Sequence, residues 1–280
     1  MTRVVTRSFR QVDVFTTTRY RGNPVAVVLD GADLTTEEMQ RFASWTNLSE
    51  TTFVLPPRSP DADYRVRIFT PALELPFAGH PTLGTCHAWL ENGGAPRDEA
   101  TIVQECAAGL ITIAQTEVGL AFAAPPLRRE GPVDDATCAE VVRALGIDRS
   151  QIVDLAWADN GPGWIGVLLE NADAVLALTP SRSELRIGVA GPHPTGASEA
   201  FEVRAFVPGD GGVVEDPVTG SLNASLAQWL IGTGRASAPY VVRQGTALGR
   251  AGRVQITLDA DGEIWVGGGT ITCVAGSVEL

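Results

Sequence analysis

Along most of this 280-residue chain the apolar residues fall in short, Val- and Ile-rich blocks bounded by Gly, Pro and Asp, rather than at the three-to-four spacing of an amphipathic helix. The first half carries VAVVLD (25–30), YRVRIF (64–69), ATIVQE (100–105) and GLITIAQ (109–115). The second carries IGVLLE (165–170), FEVRAF (201–206), VQITL (254–258) and EIWVGG (263–268). Each block predicts a strand, because β-branched side chains lose freedom in a helix and pack well on a pleated surface. Helical patterns are fewer: Thr35–Trp45, Gly84–Asn92, Asp135–Leu145 and Ser221–Gly232. The closing ITCVAGSVEL reads as one more strand, able to return to the first half.

These blocks repeat in order. YRVRIFTP (64–71) matches FEVRAFVP (201–208) as aromatic-x-V-R-x-F-x-P, and VAVVLD matches IGVLLE. HPTLGT (80–85) and DPVTGS (216–221) both read as His or acid, Pro, two residues, Gly, hydroxyl. Three pairs in one order point to a duplicated unit. The Pro-rich, charged stretch AAPPLRREGP (123–132) is the expected linker, giving an N-terminal lobe of residues 1–124, completed by 270–280, and a C-terminal lobe of residues 125–269. Two such lobes are expected to pack about a pseudo-twofold axis, with the HPTLGT and DPVTGS loops facing each other across a cleft.

The chemistry-bearing residues lie at those loops. VVEDPVTGSLNAS (213–225) sets Glu215 and Asp216 just ahead of a helix, where unpartnered N–H groups and the helix dipole attract carboxylates. Asp216 before Pro217, like His80 before Pro81, is equally compatible with ordinary helix capping. Gly84 and Gly220 would admit a ligand close to the backbone, while Thr85 and Ser221 offer hydroxyls, so two facing helix starts would suit a small anion. In NLSETTF (47–53), Glu50 stands between a helix and an apolar strand. Drawn into an apolar cleft, its carboxyl would shift toward neutral pH and could both give and take a proton; left outside, it is a solvated loop acid.

Composition narrows the function. The formal net charge is −12, without a Lys/Arg cluster, which argues against a nucleic-acid or anionic-membrane partner. Four scattered cysteines, Cys86, Cys106, Cys138 and Cys273, form neither a zinc pattern nor a disulfide framework, and suggest a reduced, cytoplasmic setting. No run of about eighteen apolar residues appears, and the N-terminus lacks a signal-like core. GPGWIG (161–166) formally fits a dinucleotide fingerprint, but a strand-like run follows it where a helix is required. His80, His87 and His193 are poorly spaced for a metal centre, and AGPHPTGAS (190–198) reads as a mobile surface loop.

RGNPVAVVLD, NLSETTF, FTPALELPFAGHPTLGT, NGPGWIGVLLE, AFVPGDGGVVEDPVTGSLNAS and QGTALGRAGRV together resemble the PhzF-like family, named for its phenazine-biosynthesis isomerase, across nearly the whole chain. The resemblance implies an α/β (α+β) fold of the diaminopimelate epimerase type: two pseudo-symmetric lobes, each wrapping strands around a central helix. It implies an isomerase that moves a proton within a small carboxylic or amino-acid-like metabolite, without cofactor or metal. Glu50 is then the acid/base residue, His80 and Asp216 assist in catalysis, and Gly79, Gly220 and Ser221 bind substrate. The related epimerases use two cysteines at the facing loops, and neither AGHPTLG nor EDPVTGS contains one, which favours a 1,3-type proton shift by one carboxyl. An epimerase or lyase using the same glutamate, and a non-catalytic small-molecule binder, remain alternatives. The resemblance also suggests a homodimer and a role in secondary metabolism.

Overall fold

The structure is a computed structural model and describes residues 4–98, 100–209 and 211–280. Its contacts divide the chain into two compact units, one running to Ala123 and including Gly267–Leu280, the other Ala124–Val266.

The first unit contains β1 (Thr6–Val14), β2 (Asn23–Val28), α1 (Thr36–Thr46), β3 (Glu50–Leu55), β4 (Tyr64–Phe69), β5 (Glu74–Leu75), α2 (Gly79–Glu91), β6 (Thr101–Cys106), β7 (Gly109–Thr116), β8 (Gly119–Ala123) and the C-terminal β18 (Thr270–Glu279). β1 pairs antiparallel with both β18 and β2, β2 runs parallel to β3, and β3 is antiparallel to β4. β4 then pairs antiparallel with the short β5 and parallel with β6, from which β7 and β8 continue as a meander. The helix α2 touches β1, β2, β3, β6, β8 and β18, so the strands wrap around it.

The second unit contains β9 (Arg129–Pro132), α3 (Asp135–Leu145), β10 (Ile152–Asp159), β11 (Trp164–Leu169), α4 (Ala172–Leu176), β12 (Arg186–Pro192), β13 (Phe201–Gly209), β14 (Gly212–Asp216), α5 (Gly220–Gly232), β15 (Tyr240–Gln244), β16 (Gly252–Leu258) and the first residues of β17 (Ile264–Gly268), the strand on which the chain returns to the first unit. β10 is antiparallel to β11, β11 parallel to β12, and β12 antiparallel to β13. β13 takes the short β14 antiparallel and β15 parallel, and β16 closes antiparallel on β15. Strand for strand, this is the pairing order of the first unit from β1 to β7. The repeat read in the sequence is therefore a repeat of topology: YRVRIF is β4 and FEVRAF opens β13, while HPTLGT and DPVTGS lie at the starts of α2 and α5.

Local chemistry sets the helix limits. A capping box at Thr35 and Glu38 starts α1, and Asn47 in the left-handed region, φ 53°, stops it. Asp134 caps α3 and Gly146 ends it. α2 begins at Gly79, five residues before the predicted start, because Pro81 sits in the first turn, where its missing N–H is not needed. Arg129–Pro132, predicted as linker, instead forms β9 against β10. The predicted strands omit β12, whose IGVAG core interleaves glycine with branched residues.

Each central helix lies against its sheet at glycine contact distance, from opposite directions. In the first unit the glycine is on the helix: a Cβ at Gly84 would stand 2.3 Å from Val25 Cγ1 and 3.0 Å from Val14 Cγ2. In the second the glycines are on the strands: a Cβ at Gly188 would stand 2.1 Å from Leu222 Cδ1, and one at Gly166 would stand 2.8 Å from the Trp229 ring. Gly84 is thus a packing residue, a correction to its expected role in admitting a ligand. Its valine neighbours are rotamer-restricted and cannot swing aside. Gly84→Ala is expected to lower stability by about 1–3 kcal/mol through overpacking, despite alanine's advantage of about 1 kcal/mol in helix propensity. Urea unfolding measures the difference, and a variant more stable than the parent would refute the close approach.

Candidate active site

In the first unit three element starts converge. Asn47 ends α1, the chain turns, and Glu50 becomes the first residue of β3, in parallel register with Val25 of β2. Asn23 opens β2 and is fully buried. His80, the second residue of α2, is 5% exposed. Its Nε2 lies 3.2 Å from Glu50 Oε2, and the Glu50 side chain is 15% exposed. On the other side of the ring, Nδ1 lies 3.2 Å from the Asn23 amide nitrogen. Burial pushes the His80 imidazole down to about 3, against the opposing pull of the Pro24 carbonyl, so the ring is neutral near physiological pH.

Gly79 is the first residue of α2 and is buried; the helix is preceded by Ala78, which provides no side-chain cap. Thr82, one turn in, accepts from Gln104 Nε2 at 3.0 Å, and Gln104 in turn accepts from the Tyr64 hydroxyl at 3.0 Å. Thr85 is directed inward to Thr52, hydroxyl to hydroxyl at 2.8 Å, so this predicted ligand hydroxyl is part of the interior.

The second unit separates the two acids of the EDPVTGS motif. Glu215 forms a bidentate pair with buried Arg204, at 3.1 and 2.7 Å, and Arg204 also donates to the Leu178 carbonyl at 2.8 Å. Asp216 instead accepts the Thr219 hydroxyl at 2.5 Å. Gln244 Nε2 donates to the same hydroxyl oxygen at 3.0 Å, so the hydroxyl bridges the amide and the carboxylate. Gln244 Oε1 accepts from the Thr219 backbone N–H at 3.1 Å and from the Asn223 amide at 2.8 Å. Gln244 and Asn223 are fully or almost fully buried. Gly220 begins α5 and is buried. At Ser221, Trp164 donates its indole N–H to the hydroxyl at 3.1 Å, and Asn160 donates to the carbonyl at 2.8 Å. The NGPGW loop thus pins the start of α5 and leads into a strand, as its sequence predicts.

The structure unites Glu50 and His80 within one unit and holds Asp216, Gly220 and Ser221 at one helix start in the other. Sequence reasoning missed Asn23, Gln104, Asn223 and Gln244. Their signal is a lone amide in an apolar strand or helix, as in TIVQE and VVRQ. Other readings change. His193 is anchored rather than mobile, with Nε2 3.2 Å from the buried Glu202 carboxylate. The four cysteines are free thiols, and burial pushes Cys86 up to about 12. Among the described residues, no cluster of His, Cys, Asp and Glu could hold a metal ion, and no helix is long and apolar enough to cross a membrane.

The fold is shared with solved proteins of known family. A PhzF-family phenazine biosynthesis protein from Bacillus anthracis superposes with a TM-score of 0.82 at 25% identity, covering 98% of this chain and 99% of the other. A hydroxyproline epimerase from Agrobacterium vitis shares the fold alone, with a TM-score of 0.58 at 14% identity and coverage of 98% and 93%. The model of the PhzC-PhzF family, described as phenazine biosynthesis-like protein, matches residues 12–276, so the chain belongs to that family. The Antisense-enhancing sequence 1 protein of Schizosaccharomyces pombe is 38% identical over 96% of this chain and 97% of its own length. The trans-2,3-dihydro-3-hydroxyanthranilate isomerase of Pseudomonas aeruginosa is 37% identical over 90% of each. Isomerases make up the named enzymes among these relatives, and the chain is an enzyme of that class.

The depressed titration of His80 has a definite sign. An unfolded histidine takes up its proton near pH 6.5, whereas the folded chain resists protonation until about pH 3, so this residue's stabilising contribution is lost as pH falls below about 6.5. In an NMR titration His80 is expected to stay neutral from about pH 8 to pH 5. A midpoint near 6.5 would contradict its burial.

Proposed function

We propose that the chain is a cofactor-independent isomerase that moves a proton within a small carboxylic or amino-acid-like metabolite, with Glu50 as its acid/base residue. The observation that carries this reading is the largely buried Glu50 carboxylate held 3.2 Å from a neutral His80 imidazole. A carboxylate shielded from water is a stronger base than one in solution, and a neutral neighbour does not neutralise it. Glu50 takes a proton from a substrate carbon, the released electron pair shifts across an adjacent double bond, and Glu50–H returns the proton two carbons away. One C–H bond breaks and one forms, with no net redox change. His80 and Asp216 orient substrate and carboxyl, while Gly79, Gly220 and Ser221 contribute to binding its polar groups. The working form is a cytoplasmic homodimer serving secondary metabolism.

The substrate in the name of the P. aeruginosa relative is the first compound to test. In deuterated water an isomerase or epimerase carries label into a substrate carbon, a lyase changes the product's mass, and a binding protein does neither. Glu50→Gln keeps the shape and removes the base, and should lower turnover at least about a hundredfold while the melting temperature stays near that of the parent. Parent-like turnover in this variant would remove Glu50 from the mechanism.

A further inference from the structure

Resting on the reading of Glu50 as acid/base, we infer that Asn23 is a positioning residue: its buried amide fixes the proton of His80 on Nε2, so that a neutral N–H meets the Glu50 carboxylate. The argument is one of donors and acceptors. The Asn23 amide nitrogen carries only donors, and it lies 3.2 Å from His80 Nδ1. That ring nitrogen must therefore offer its lone pair. A neutral imidazole has one N–H, which then falls on Nε2, 3.2 Å from Glu50 Oε2. An ionised carboxylate can only accept, so an Nε2 proton faces a favourable charge at 3.2 Å, although the contact falls outside hydrogen-bond geometry.

The opposite tautomer reverses both. It would set an Nδ1 proton against the amide N–H₂ and a bare Nε2 lone pair against a carboxylate oxygen. With Asn23 fully buried and His80 5% exposed, water cannot relieve either repulsion. The Pro24 carbonyl beside the ring can only accept, so it too favours a ring N–H. Asn23 is the first residue of β2 and His80 the second of α2, so the amide and ring are placed by two packed elements rather than by a loop.

The consequence concerns Glu50. An imidazolium beside it would hold the carboxylate as a weak base; a bare lone pair would require Glu50 to keep a proton. A neutral Nε2–H sets a donor 3.2 Å from one carboxylate oxygen and leaves the group able to exchange a proton with substrate in both directions.

The test is nitrogen-15 NMR of the intact protein at neutral pH, which distinguishes a protonated from a bare ring nitrogen. The chain has three histidines, so His87→Gln and His193→Gln assign the His80 signals by elimination. The expected spectrum shows His80 neutral with its proton on Nε2; a proton on Nδ1, or on both nitrogens, overturns the inference. Asn23→Asp replaces donors by an acceptor and should move the proton to Nδ1 or charge the ring, with kcat falling at least about tenfold, the equivalent of one pK unit. An unchanged spectrum and kcat in a folded Asn23→Asp protein would also overturn it. Should that variant fail to fold, the parent spectrum decides alone. A Glu50→Gln enzyme that keeps turnover would sink the acid/base reading while leaving the tautomer result standing.

Discussion

The constraint on which the structure depends is that each unit buries one helix nearly all round, and a helix can be wrapped by strands only if its backbone comes close to them. Close approach requires a missing side chain somewhere. The first unit removes it from the helix at Gly84, against Val14 and Val25; the second removes it from the sheet at Gly166 and Gly188, against Trp229 and Leu222. The volume is conserved while the partner that supplies it changes. The central segments can therefore be apolar on most faces: Leu83, Cys86 and Ala88 in α2, and Leu222, Leu226, Ala227 and Leu230 in α5, are all buried. Such a helix has no solvent face on which to discharge polar groups.

Polar side chains that must lie near these helices are consequently tied into closed networks, and both units solve this alike. A fully buried glutamine on the strand after the helix reaches back to its first turn: Gln104 of β6 to Thr82, and Gln244 of β15 to Thr219. Their amides have one donor end and one acceptor end, and both ends are used in each case. An amide in such a place rigidifies the helix start that carries His80, or the one that Asp216 precedes. Losing one partner would leave a buried dipole unpaired, at a cost of about 1–3 kcal/mol.

How much of this was legible follows from what a linear pattern records. The strand class, the duplicated order, α3 and the family were readable, because branched blocks, capping residues and contiguous motifs are local features. Glu50 at the start of β3 was readable from the boundary between NLS and TTFVL. The early start of α2 was not, since Gly79, Pro81 and Gly84 read as loop residues until their burial is known. Nor was the difference between Glu215 and Asp216, adjacent acids of similar chemistry. It is set by strand geometry, because neighbours on β14 point to opposite faces: Glu215 meets Arg204 of β13, and Asp216 meets the Thr219 hydroxyl. The amides of Asn23 and Gln244 left still less trace, because their partners lie 57 and 25 residues away in the chain.

The two units share a topology and differ in the chemistry at the start of their central helices. Where the first places a neutral imidazole beside a shielded carboxylate, the second places an aspartate that accepts from a hydroxyl to which a buried glutamine donates. A racemase with one base for each face of a carbon needs two groups of comparable proton affinity, and the thiols that could serve are absent from both motifs, with Cys86 buried as an inert thiol. The two helix starts have therefore kept their architecture and diverged in chemistry: a buried imidazole stands at one, and a carboxylate, hydroxyl and amide network at the other.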